Sequence, residues 1–169
     1  MADNQVTERQ IDAFRRFLDF LPHDQDLTLV ILKGHLLIEE QIRQIIAERV
    51  KRPRVLYTKK DRYRIGFYLA TYIAEAFFPK EREPWLWEAV RKLNTVRNAI
   101  GHSVEPRGLD NNIDDFVNTV PTSIDFRGDR QGRFEGALWT LFEAVSSLVE
   151  RPTATVYELI KSSAEDEET

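Results

Sequence analysis

Residues 87–102 read WEAVRKLNTVRNAIGH. With Leu86 just before it, this stretch gathers Leu86, Val90, Leu93 and Ile100 on one arc when each residue turns by about 100°. Pro84 suits the first turn of such a helix, where its missing N–H leaves no hydrogen bond unmade. On the same wheel Arg97 falls about 40° from Leu93, inside the apolar arc. A guanidinium cannot lose its charge, so it must pair with an acid or face a cleft that holds an anion. Asn98 and His102, four apart, share a different face. Strict helical geometry places His102 about 140° from Arg97. Gly101 offers an exit from the helix that would re-aim His102. The plain alternative is a C-terminal cap, with the helix dipole favouring protonated histidine.

Helical spacing extends outward from this stretch in both directions. TERQIDAFRRFLDFLP opens with Thr7 and Gln10 in a capping-box pattern, repeats at Ile11, Phe14, Leu18 and Leu21, and stops at Pro22. A second helix from about Asp24 to Val50 carries Leu27, Ile31, Ile38, Ile42 and Ile45. On its edge lie His35 and Glu39, four apart, and Glu39 is the expected partner of Arg97. DRYRIGFYLATYIAEAFFP repeats at Ile65, Leu69, Tyr72 and Ala76. Residues 103–132 read as a long loop rich in Gly, Asn, Asp and Pro. A penultimate helix then buries Phe134, Leu138, Leu141, Val145 and Leu148, and TATVYELIKSS adds a short last helix after Pro152. The expected fold is an all-α bundle of four to six helices in one domain, residues 1–163, with an acidic tail at 164–169.

The chain has 169 residues, 42% hydrophobic and 31% charged, which fits one folded, soluble domain. It has no cysteine, which excludes disulfides and thiolate chemistry and fits a cytoplasmic protein. MADNQVTERQ lacks the pattern of a secretory signal, and no apolar run is long enough to span a membrane. His23, His35 and His102 are scattered, with no zinc-ligand spacing. FRGDRQGRFEG lacks the lysine and spacing of a phosphate-binding loop and reads as a turn. No metal or cofactor is expected. Trp85, Trp87 and Trp139 read as core or interface residues.

Net charge is −4, which argues against bulk affinity for nucleic acid. Its distribution is uneven. Residues 49–64 hold eight basic side chains against Asp61 alone, and AEDEET carries four acids. Arg52, Arg54, Lys59, Lys60 and Arg62 are thus candidate phosphate contacts, with Tyr57 and Tyr63 available for base stacking. A solvated loop and ordinary tyrosine packing are the plainer uses of the same residues.

RNAIGH, Arg97 to His102, resembles the R-N-x-x-x-H motif of the HEPN superfamily (higher eukaryotes and prokaryotes nucleotide-binding). The context WEAVRKLNTVRNAIGH is similar too, and GHLLIEEQIRQII resembles the earlier family helix whose acidic residue, here Glu39, faces the motif. The resemblance covers about residues 25–150. It implies a HEPN-like bundle and, for many members, a metal-independent endoribonuclease. Many such members are toxins or defence proteins with a partner antitoxin, and many form homodimers that bring two motifs to one cleft. Other members are non-catalytic modules that bind RNA, a nucleotide or a protein.

The residue types suit that chemistry. RNA carries its own nucleophile, the 2′-hydroxyl. Histidine is the side chain closest to neutral pKa, so His102 fits as general base or acid. Arg97 can stabilise the phosphate as negative charge builds on it. Asn98 can orient His102 or bind phosphate, and Glu39 can fix Arg97. Cleavage would leave a 2′,3′-cyclic phosphate and a 5′-hydroxyl. Two other readings compete: a non-catalytic helical dimer module, and a purely structural bundle in which Arg97 and Glu39 form a buried ion pair.

Overall fold

The structure, a computed structural model, describes residues 8–22, 26–57, 65–80, 84–102, 107–149 and 165. Among these residues the chain forms seven α-helices and no strand. They are α1 (Glu8–Phe20), α2 (Leu27–Arg49), α3 (Arg54–Tyr57), α4 (Phe67–Glu75), α5 (Pro84–His102), α6 (Leu109–Thr119) and α7 (Arg130–Ser146). No helix among them is long and apolar enough to cross a membrane. The capping pair at Thr7, the helix after Pro152 and nearly all of the acidic tail lie outside the described residues.

α2 is central because few of its positions reach solvent. Twelve of its 23 residues are buried, and α1, α4, α5 and α7 all pack on it. Ile31, Ile38, Ile42 and Ile45 are fully enclosed, as the spacing predicts. α5 buries Leu86, Val90, Leu93 and also Val96, and it starts at Pro84. α7 buries Phe134, Leu138, Leu141 and Val145, with Leu148 just beyond its end. Each such side chain contributes roughly 1.5–3 kcal/mol by leaving water.

The seven described helices exceed the four to six expected, and three further expectations are corrected. The first concerns 103–132, which is not one long loop. Gly108 takes a left-handed φ of 76°, and α6 follows it. Its Asn and Asp residues favour turns over helix, but Ile113 and Phe116 are fully buried against α5 and α7, and that burial outweighs propensity. α7 then begins at Arg130, capped by Asp129 Oδ1, which accepts from Gly132 N at 2.7 Å.

The other two corrections are of phase. α1 buries Phe17, and Leu21 just beyond its end is buried as the spacing predicts, while Ile11, Phe14 and Leu18 are exposed. α4 buries Ala70, Thr71 and Ala74, while Leu69, Tyr72 and Ala76 face outward. Both helices lie at the edge of the bundle and present more apolar positions than their neighbours cover. Phe17 is chosen because it meets Trp139 and Phe142 on α7, with ring centroids 5.3 and 5.7 Å apart.

Gly136 holds the chain before α7 against that helix. A Cβ there would overlap the backbone carbonyl of Ile124, which cannot swing aside as a side chain could. We therefore expect Gly136→Ala to destabilise the fold by about 1–3 kcal/mol despite its better helix propensity. Urea unfolding checks this; a midpoint at or above that of the wild type would contradict the packing described.

Candidate functional site

The polar residues of α5 meet α2 and α4 around His35. Its ring is buried at 4% exposure, and Nε2 lies 3.2 Å from Asn94 Oδ1 on α5. The Phe67 ring of α4 covers it, centroids 4.3 Å apart. Nδ1 faces Glu39 Oε2 at 3.9 Å, an ion-pair distance rather than a hydrogen bond. Burial pushes the His35 pKa below its ordinary value. Glu39 and the Asn94 bond oppose that shift, and the positive charge of Arg97 reinforces it. The ring is therefore neutral at physiological pH, and a proton on Nε2 completes the bond to Asn94.

Glu39 does not pair with Arg97. Its Oε1 takes Arg43, one turn on along α2, with Nε at 2.8 Å. Arg43 also donates to the Ile65 carbonyl at 3.1 Å and lies over the Tyr57 ring. Tyr57 Oη in turn donates to the Arg43 carbonyl at 3.3 Å. The pair thus fastens α3 and the chain before α4 to α2, and Tyr57 is a packing residue. The E-x-x-x-R spacing that makes the pair stands in the sequence as a local i,i+4 signal.

Arg97 holds the arc position predicted for it, yet it is exposed. The helices that bury Leu93 and Val96 do not extend over it. Its one hydrogen bond among the described residues runs from Nη1 to Asn98 Oδ1 at 3.3 Å, and no carboxylate pairs with it there. The buried Arg97–Glu39 ion pair of the structural reading is thereby overturned. Gly101 stays helical, since the positive-φ glycines are Gly108 and Gly128. It does not turn the chain out to re-aim His102. α5 runs through His102, whose side chain lies outside the described residues. A Cβ at Gly101 would meet Arg97 Nη1 at 3.4 Å, so the guanidinium lies along the last turn.

Asn94 is the residue that sequence reasoning missed. It lies four before Asn98, but its use depends on the register of α5 against α2. The predicted basic residues are not brought to this place. Arg49 lies over Phe78, and its Nη2 donates to the Leu148 carbonyl at 3.0 Å. Phe78 in turn meets Trp87 near the start of α5. With His35 beside Asn94, these contacts set α5 antiparallel to α2. Exposed Arg52 and Arg54 follow the C-terminal end of α2, which packs near the start of α5 and not near Arg97. Lys59, Lys60, Arg62 and Tyr63 lie outside the described residues.

An open groove of about 800 Å³ lies between α1, residues 121–124 and α7, lined by Phe14, Ile124 and Trp139, and it includes no motif residue. Among the described residues, no three His, Asp or Glu side chains converge as metal ligands.

His35 gives a pH test. Its folded pKa lies below its unfolded value near 6.5, so as pH falls past that value the unfolded chain takes up the proton first. Stability is complete above the unfolded pKa and falls as pH drops toward the folded pKa. Glu39, Asn94, Arg97 and Phe67 are the groups that face the ring. We expect the urea midpoint to decrease between pH 7.5 and 5.5, and His35→Gln to flatten that decrease. Equal slopes in the two proteins would contradict the buried neutral ring.

Comparison of the chain with protein-family models, with curated proteins and with solved structures found no match.

Proposed function

We propose that the chain is a HEPN-type, metal-independent endoribonuclease built on a HEPN-like helical bundle. The observation that supports this most is Arg97: an exposed guanidinium with no carboxylate partner among the described residues, on the helix turns that carry Asn98 and His102. A cation left open beside two polar residues of this kind is suited to a phosphate.

In the proposed reaction His102 takes the proton of the 2′-hydroxyl, and the 2′-oxygen attacks the adjacent phosphorus. The bond to the 5′-oxygen breaks, and that oxygen receives a proton. The products are a 2′,3′-cyclic phosphate and a 5′-hydroxyl. Arg97 stabilises the charge that builds on the phosphoryl oxygens. Asn98 holds the Arg97 fork by its Oδ1 and leaves its amide N–H groups for phosphate. Glu39 acts one step back, through Arg43 and His35. His102 alone cannot serve as base and acid on both sides of one phosphate, so a homodimer with two motifs at a shared cleft would supply the second proton donor. Such a protein would act on RNA in the cytoplasm, as a toxin or defence protein restrained by a separate antitoxin. The alternative, a non-catalytic dimer module for RNA, a nucleotide or a protein, draws on the open apolar groove at α1 and α7.

Purified protein incubated with mixed RNA in EDTA, beside Arg97→Ala and His102→Ala, tests the reading. We expect wild type to cleave and both variants to lose about 10²–10⁴-fold in rate. Arg97→Ala should unfold within about 0.5 kcal/mol of wild type, since Arg97 supports no ion pair among the described residues. Equal activity in all three proteins, or none in the wild type, would discard the catalytic reading in favour of the binding module.

A further inference from the structure

α4 buries its small residues and exposes its aromatic ones. Tyr68 and Tyr72 stand out from the bundle at 62% and 42% exposure. The two rings are nonetheless fixed. They meet edge to face with centroids 4.9 Å apart, and their hydroxyls share a 3.1 Å hydrogen bond. Arg91 of α5 lies over Tyr72, 5.4 Å from its centroid, and Glu75 Oε2 holds that guanidinium at 2.7 Å. The hydrogen bond shared with Tyr68 pushes the Tyr72 phenol above the ordinary tyrosine range, so it stays protonated at neutral pH. The result is an aromatic platform whose geometry is set before anything binds, which reduces the ordering cost of binding.

Arg91 also fixes where the platform lies. Arg91, Thr95, Asn98 and His102 recur at i, i+4, i+7 and i+11 on α5, one polar stripe of that helix. From Arg91 to Asn98 the helix rises about 10 Å, the length of about three stacked nucleotides at roughly 3.4 Å each. The platform lies beside Arg91, six residues before Arg97 on the same helix. An aromatic surface with an exposed cation farther along the helix complements a strand with charged phosphates and apolar base faces. The acid beside the platform, Glu75, is neutralised by Arg91.

We propose that Tyr68 and Tyr72 form a stacking subsite for unpaired nucleobases of an RNA strand that places its phosphate at Arg97. The identity of the strand rests on the ribonuclease reading; the platform does not depend on catalysis. Base faces stack on tyrosine with little regard to sequence, so adenine and uracil should both be accepted.

The test uses the full chain carrying His102→Ala, in EDTA, with fluorescein-labelled A12 and U12 oligoribonucleotides and anisotropy as the readout. Adding Tyr68→Ala and Tyr72→Ala together should weaken binding of both by about 5–150-fold, the loss of one stacked base. The Phe pair, which keeps the rings, should stay within about threefold of the parent, and the Leu pair should behave as the Ala pair. Circular dichroism checks that all are folded. Affinity unmoved by the Ala pair, a Leu pair equal to the Phe pair, or no binding by the parent would each overturn the inference. Cleavage by wild type separates the two readings. Cleavage together with unmoved affinity discards the platform alone, whereas tyrosine-dependent binding without cleavage supports the platform and discards the catalytic role.

Discussion

A helix buried on nearly every side must satisfy each polar group it carries from within the protein. α2 is such a helix, and that constraint organises much of what surrounds it. His35 finds Asn94 on α5 and a cover in Phe67 on α4. Glu39 finds Arg43, and Arg43 reaches the Ile65 carbonyl and the Tyr57 ring. These contacts fix the register of three other elements against α2. A buried histidine, once its Nε2 is committed to Asn94, cannot be shifted by a turn without stranding a polar atom, which costs about 1–3 kcal/mol. Polar specificity and apolar burial therefore point to the same arrangement, and α5 is held where its last turns pass beyond the core.

Helices with one dominant apolar face were legible from spacing. α2, α5 and α7 bury the residues that periodicity selects except Leu27 and Ile100, which lie near the ends of α2 and α5 and are only partly covered. α1 and α4 were misread in phase, since each offers two overlapping apolar faces and only tertiary contact decides between them. α6 was hidden by composition: Asn111, Asn112, Asp114 and Asp115 signal a loop, and the burial of Ile113 and Phe116 overrides that signal. The site was legible to a similar degree. The wheel set Arg97 inside the apolar arc, but it is exposed, because whether an arc position is covered depends on where the adjacent helices stop. Glu39 had two candidate arginines, and the local one prevailed, because an i,i+4 pair needs no long-range closure to form.

Charge at this end of the molecule is partitioned in a definite way. Arg16 with Glu40, Arg43 with Glu39 and Arg91 with Glu75 are pairs that tie one structural element to another or brace a ring. Arg97 does neither among the described residues. Its charge is felt at His35, which is neutral in part because of it.

Gly101 shows how stability and reach oppose each other on the last turn of α5. It is a helical residue with no left-handed backbone to require glycine, and alanine there would favour the helix by about 1 kcal/mol. The added methyl would rest against Arg97 Nη1 and narrow the arc that the side chain sweeps. A lineage selected for thermal robustness alone would drift toward alanine at this position. Glycine spares the guanidinium that contact, so the same turn that ends the helix leaves room beside its cation.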